Sequence, residues 1–299
     1  MDLLKKGDLV GISSTARKVS KVEMQNAISI LENWGLKVAL SDSLFAEENQ
    51  YAGSDLARAS SFQKFLDDPK IKAIFCARGG YGTVRMVDGL NFDLFLENPK
   101  WVVGYSDITV LHAHLYKKTG YSSLHGPMPI NWQKEKLHQE SLDFLYKTLF
   151  VGKQEISFPK HVLNQREEDV DGTIMGGNLS VLYSILGSAS DLNYDGKILF
   201  LEDLDEYLYH IDRMMIGLKR AGKLGKLEAL VIGDMSNMKD NTVPFGKTAY
   251  EIIADAVKEY SYPVVFGAPC GHEPRNLSIV MGTRYQLKFG NKVTLSSNT

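Results

Sequence analysis

The chain has 299 residues, more than one hydrophobic core comfortably serves, so two domains or one large one are expected. Hydrophobic residues at 44% and charged residues at 23% are ordinary for a globular protein and exclude a disordered or collagen-like chain. Lys and Arg number 34 against 36 Asp and Glu, and the net charge of −2 removes the electrostatic attraction to nucleic acid or an anionic membrane. The first residues, Met1-Asp2-Leu3-Leu4-Lys5-Lys6-Gly7-Asp8, carry charges where a signal peptide has its apolar segment, and no later run approaches about 18 apolar residues, so a cytoplasmic protein is expected. Leu9 to Ser13 reads as a strand. From Lys21 to Trp34 apolar side chains recur at approximate helical spacing, and Lys37 to Leu40 is a second strand. Ser54 offers an N-cap to a helix running through Leu56, Ala59, Phe62 and Phe65. A β-rich run from Ala73 to Ala77 ends at Arg78-Gly79-Gly80, Trp101 to Tyr105 repeats that character, Asp107 to Tyr116 is helical, and another strand lies near Tyr121 to His125. Alternation of this kind implies βαβ crossovers and a parallel sheet whose strand C-terminal ends carry the loops available for chemistry.

Between Val151 and Asp171 the pattern dissolves into Lys, Gln, Glu, Asn and Pro, which suits a linker. The expected organisation is thus a domain over 1–150, a linker over 151–170 and a second domain over 171–299. The second half shows a glycine turn at Gly176-Gly177, a helix from Leu179, a strand from Ile198 to Leu201 and a helix around Ile211 to Leu218. Strands follow at Ala229 to Ile232 and Pro263 to Phe266. The end reads as a hairpin, Tyr285 to Phe289 and Lys292 to Leu295 about a two-residue turn Gly290-Asn291, so the second domain is mixed and partly antiparallel.

Four groups of residues carry candidate chemistry. In Gly104-Tyr105-Ser106-Asp107 a serine ends a buried strand as a helix begins; such a turn pushes a nucleophile clear of the backbone and aims free N–H groups at an oxyanion, although a serine there also serves as an N-cap. Arg78-Gly79-Gly80-Tyr81-Gly82 follows another strand. Its glycines permit close backbone approach to a ligand, but the run lacks the small residue of a dinucleotide fingerprint and the Lys of a phosphate loop. Glu202-Asp203 and Gly271-His272 each follow a strand, and serine, acid, histidine is an order that a nucleophile, an orienting acid and a general base can adopt. Other combinations are poorer. His112 and His114, two apart on a helix, point about 200° from one another and share no metal. His272-Glu273-Pro274 lacks the second His of a zincin, and Cys270 beside His272 is either a thiol nucleophile or a buried filler. Only Cys76 and Cys270 are present, so no disulfide framework and no CxxC knuckle exists.

Taken together, these residues resemble the LD-carboxypeptidase family of serine peptidases, which also contains the microcin-immunity hydrolases. The resemblance spans nearly the whole chain: the strand Leu9 to Ser13, Tyr51-Ala52-Gly53 with Arg58, Arg78 to Gly82, Gly104 to Asp107, Gly176 to Leu179, Leu201-Glu202-Asp203 and Gly271-His272. One departure is Ser13-Ser14-Thr15, where the family usually has a Pro-Ser pair. The resemblance implies an α/β protein with an N-terminal Rossmann-like domain carrying Ser106, a C-terminal mixed flattened-barrel domain carrying Glu202 and His272, and an active site in the cleft between them. It also implies an oxyanion hole from the backbone N–H groups of Gly80 and Asp107, a homodimer, and no metal or organic cofactor. The implied reaction releases terminal D-alanine from a murein tetrapeptide in cytoplasmic peptidoglycan recycling, with Arg78 as candidate for the substrate's free carboxylate. Two alternatives stand beside it: a microcin-immunity-type hydrolase of an aminoacyl-nucleotide-like compound, for which Trp132 would stack on the base, and a non-catalytic two-lobed peptide-binding protein.

Overall fold

Strand β1, Leu9–Ser13, is buried from Val10 onward and lies inside a six-stranded sheet of the computed structural model, which describes residues 1–133 and 135–298. After it come α1 (Lys21–Asn33), β2 (Lys37–Leu40), α2 (Asp55–Asp67), β3 (Ile71–Cys76), α3 (Asp93–Glu97), β4 (Trp101–Gly104), α4 (Thr109–Thr119) and β5 (Ser123–His125). Capping chemistry sets the helix starts. Ser20 and Glu23 form a reciprocal capping box on α1, and Ser54 accepts from the Ala57 N–H at the start of α2. Strands β1 to β5 pair in parallel in the order β5-β4-β3-β1-β2, so the sheet grows to opposite sides from β1 and β3, and the loops after those two strands flank a crevice at their carboxyl ends.

The rest of the chain supplies α5 (Gln139–Val151), β6 (Lys153–Phe158), β7 (Val170–Asn178), α6 (Leu179–Ser184), β8 (Lys197–Leu204), α7 (Leu208–Arg220), β9 (Ala229–Ser236), α8 (Ala249–Val257), β10 (Val264–Phe266), β11 (Ile279–Met281), β12 (Arg284–Phe289) and β13 (Val293–Asn298). Seven of these strands form a mixed sheet in the order β10-β9-β8-β7-β12-β13-β6, parallel from β7 to β10 and antiparallel beyond. The fold is therefore mixed α/β with one parallel-rich and one mixed sheet. Strand β11 leaves the second half and pairs antiparallel with β5 at the edge of the first sheet, so the two halves share a strand order that chain position alone does not suggest.

Three details differ from the sequence expectation. The stretch expected to be a linker holds β6, whose Gln154, Ile156 and Phe158 face inward; with one inward position polar, its alternation is easily read as irregular. The terminal hairpin turns through three residues, because Phe289 pairs with Val293. Gly176 and Gly177 form no turn: both lie in β7, with positive φ of 147° and 136°. A Cβ on Gly176 would collide with the Phe200 carbonyl on β8, and one on Gly177 would stand 2.5 Å from Thr109 Oγ1 on α4. These glycines let the end of the second sheet close onto the first.

That closure is made polar and specific by Asn178. Its N–H donates to Thr109 Oγ1 (3.0 Å), its Nδ2 donates to Asp203 Oδ1 (2.9 Å), and its Oδ1 accepts from Ser180 Oγ and the Val181 N–H. Asp203 in turn accepts from the Ser180 N–H at 2.9 Å. Asn178→Ala should lower unfolding free energy by about 2–4 kcal/mol, because Asp203 and the first turn of α6 lose partners in a dry environment. Denaturant titration checks this; a loss below about 0.5 kcal/mol would show that the Asn178 side chain does not hold Asp203 and the start of α6.

Candidate active site

Ser106 follows β4 by one residue and opens a single 3-10 turn, Ser106–Ile108, that runs into α4. Its φ is 61°, a left-handed conformation that a non-glycine residue adopts at a cost of about 1–3 kcal/mol and that the surroundings must enforce. The turn is tied down from behind. The buried Asp107 carboxylate accepts from the Thr83 N–H at 2.9 Å, and Thr83 Oγ1 lies 2.9 Å from Thr15 Oγ1. Burial pushes the Asp107 carboxyl above the usual range, opposed by the hydrogen bonds from Thr83 and Gly82. Arg58, fully buried, donates to the carbonyls of Thr15 (3.0 Å) and Gly53 (2.6 Å) and pairs with Asp55 (2.5 Å). The loops after β1 and β3 are thereby fixed against the Ser106 turn.

The result is a close approach of two strand ends. A Cβ on Gly79 would be 3.3 Å from Ser106 Cβ and 3.4 Å from the Asp107 nitrogen, so the glycine run and the serine turn are neighbours. Neither the Gly80 nor the Asp107 N–H has an acceptor among the described residues, and the half-buried Ser106 hydroxyl has no hydrogen-bond partner there either.

Glu202 and His272 come from the second sheet. Glu202, near the end of β8, is 0% exposed and its Oε2 meets His272 Nδ1 at 2.6 Å. Tyr105, the residue before Ser106, packs its ring 4.7 Å from the His272 ring, so the imidazole is anchored on one side by Glu202 and on another by the first sheet. Serine and imidazole are not hydrogen-bonded to one another; the structure joins the acid to the base and packs the base on the ring of the residue before the serine. Burial alone would lower the His272 pKa, but the charge and hydrogen bond of Glu202, reinforced by Asp203 and Asp234, raise it above the ordinary imidazole value. Asp234 is itself pushed up to about 7 by burial and by the charges of Glu273 and Glu202.

The remaining sequence candidates sort clearly. Arg78 is half-buried, makes no hydrogen bond or ion pair among the described residues, and acts by its charge on Glu23 of α1. Cys270 is fully buried and its thiol is held well above its usual pKa by burial, so it is no nucleophile at neutral pH. His112 Nε2 bonds the Gly104 carbonyl (2.8 Å) while His114 Nδ1 bonds Ser190 Oγ (2.9 Å), each satisfied separately. Trp132 is 1% exposed, donates to the Pro127 carbonyl and packs on Trp34 and Phe75, so it offers no platform to a base. Sequence reasoning missed the Tyr105 ring, the Asp107 carboxylate and the Thr109–Asn178–Asp203 seam. Only the adjacency of each to a recognised motif could have pointed to them.

Comparison with known proteins places both halves of the chain in one family. Residues 9–126 match the LD-carboxypeptidase N-terminal domain, and residues 171–287 match the LD-carboxypeptidase C-terminal domain. The chain is 31% identical over 297 residues to the probable murein peptide carboxypeptidase of Bacillus subtilis, covering 98% of this chain and 92% of that one. It is 26% identical to the microcin C7 self-immunity protein MccF of Escherichia coli, over 96% of this chain and 92% of that one. Among solved structures, the muramoyltetrapeptide carboxypeptidase from Oxalobacter formigenes superposes with a TM-score of 0.86 at 28% identity, covering 96% and 98% of the two chains.

The raised His272 pKa is open to direct test. An NMR titration of the imidazole should give a midpoint above about 6.5, and Glu202→Gln should move it downward because the neighbouring negative charge is gone while the burial stays. An unchanged midpoint would mean that Glu202 does not govern this histidine.

Proposed function

This chain belongs to the LD-carboxypeptidase family of serine peptidases, and on that footing we propose that it releases the C-terminal D-alanine of murein tetrapeptides, using Ser106, Glu202 and His272. The observation that carries the proposal is the 2.6 Å Glu202–His272 pair, carried by the second half of the chain and packed on the ring of Tyr105, the residue before Ser106. A protein that only bound peptides would gain nothing from a buried acid oriented on an imidazole next to a strained serine. The sequence of events follows from these groups. With Nδ1 engaged by Glu202, the Nε2 of neutral His272 takes the proton as Ser106 Oγ attacks the amide carbonyl, and Glu202 stabilises the imidazolium. The carbonyl oxygen becomes an oxyanion facing the unpaired N–H groups of Gly80 and Asp107, where the helix N-terminus adds favourable field. The C–N bond breaks, the imidazolium gives its proton to the departing amino group of D-alanine, and the tripeptide remains as an ester on Ser106. Water then attacks that ester, His272 accepting its proton and returning it to Ser106 Oγ.

The substrate assignment draws on the names of the relatives in Bacillus subtilis and Oxalobacter formigenes. A cytoplasmic role in peptidoglycan recycling and a homodimer belong to the same proposal; among the described residues no helix is long and apolar enough to cross a membrane. Arg78 is kept as a cation at the edge of the glycine run. The alternative, a hydrolase of aminoacyl-nucleotide-like compounds, loses the aromatic platform assigned to it because Trp132 is buried.

Incubation with murein tripeptide, tetrapeptide and pentapeptide and with an aminoacyl sulfamoyl adenosine, read by mass spectrometry, separates these activities. Release of D-alanine from the tetrapeptide alone is expected, whereas cleavage of the sulfamoyl adenosine alone would replace the proposal. Ser106→Ala should lower kcat by several orders of magnitude, as loss of a triad nucleophile does at about 10⁶ in one studied protease, while Cys270→Ala stays near wild type. Retention of more than about a tenth of the rate by Ser106→Ala would exclude a serine mechanism.

A further inference from the structure

We propose that Arg17 binds the free α-carboxylate of the substrate's C-terminal residue. This rests on the carboxypeptidase reading above, and adds the group that makes the enzyme cut only at a chain end. Arg17 lies in the loop after β1 and the glycine run in the loop after β3, the two loops that flank the crevice where the strand order reverses. The side chain of Arg17 lies over Gly80. A Cβ on that glycine, whose φ is 106°, would run into the Arg17 Cδ, and the Arg17 Nε stands 3.5 Å from the same point. Gly80 is thus a glycine for two reasons, its left-handed backbone and the arginine lying across it.

The distances of peptide chemistry make this placement meaningful. From the attacked carbonyl carbon to the carboxylate carbon of the last residue there are three bonds, at most about 4.3 Å along the chain. If the carbonyl oxygen sits on the Gly80 N–H at about 2.9 Å, the carboxylate carbon lies no more than about 8 Å from the Gly80 nitrogen, a span that the long side chain of Arg17, which lies over Gly80, can meet. The guanidinium is also uncommitted. Arg17 is exposed and its side chain has no hydrogen bond or ion pair among the described residues, in contrast to Arg58, which is fully used inside the fold, and Arg85, which is paired with Asp55 at 2.8 Å. A planar fork of N–H donors matches a carboxylate in a way that a lysine does not. The loop that carries Arg17 is held rigidly enough to present it: Thr15 is bonded to Thr83 and to Arg58, and the Ala52 N–H donates to the Ala16 carbonyl at 3.1 Å.

The test compares murein tetrapeptide carrying a free C-terminal carboxylate with the same peptide carrying a C-terminal amide. Wild-type enzyme should prefer the acid by about 100-fold or more in kcat/KM. Arg17→Ala should raise KM for the acid about 10- to 100-fold and bring the acid-to-amide ratio close to 1, with Arg17→Lys in between. Circular dichroism and Ser106 acylation by a neutral ester should be unaltered in both variants. If Arg17→Ala keeps the wild-type ratio, the proposal is overturned, and a ratio that collapses instead in Arg78→Ala gives the role to that residue. If wild type cleaves neither peptide, the carboxypeptidase assignment itself fails and the role of Arg17 fails with it.

Discussion

The contact from Thr109 through Asn178 to Asp203 ties the serine turn of one sheet to the strand of the other that carries the acid, and the joining of serine and acid depends on it. Thr109 opens the helix that follows Ser106, while Asp203 is the neighbour of Glu202 in the chain. A serine turn on one sheet and an acid on another would otherwise be free to slide by the few tenths of an ångström that decide whether a proton transfers. Glycine at 176 and 177 removes the side chains that would hold the sheets apart, and Asn178 supplies donors and an acceptor where water is excluded. A buried polar link of this kind is costly when incomplete and rigid when satisfied. Here the Asn178 side chain is bonded at both ends.

Acid crowding is the second organising feature. Glu202, Asp203, Asp234 and Glu273 gather near one imidazole, and Asp203 and Asp234 are each pushed up to about 7, chiefly by burial and then by their acidic neighbours. Proton uptake at these two relieves the repulsion while the His272 Nδ1–H keeps its bond to Glu202. His272 is consequently a stronger base than an isolated histidine; in the proposed mechanism this favours removal of a proton from the Ser106 hydroxyl and places the active, neutral form above the imidazole's ordinary midpoint.

Much of this was legible in the residues. The alternation of short apolar runs with amphipathic stretches reads out the parallel sheet, and Ser106 and His272 stand out because each follows a strand, while Glu202 lies near the end of β8, which runs on to Leu204. What the chain could not show is what depends on pairing across long separations. β6 hides because Gln154 occupies an inward position, satisfied by Thr148 and the Ser278 carbonyl. β11 joins the first sheet through residues far along the chain. Gly176 and Gly177 read as a turn by composition, whereas their function is to let Phe200 and Thr109 approach, which only packing reveals. Trp132, a candidate surface platform by sequence, is drawn into the core by Trp34 and Phe75.

The central claim is that Ser106 becomes covalently acylated. Rapid acid quench of the enzyme during turnover of murein tetrapeptide, followed by peptide mapping by mass spectrometry, measures this directly. The account predicts a tripeptide adduct, lighter than the free tripeptide by one water, on the peptide that contains Ser106. Sustained D-alanine release with Ser106 unmodified at every quench time and the adduct on another residue would contradict it.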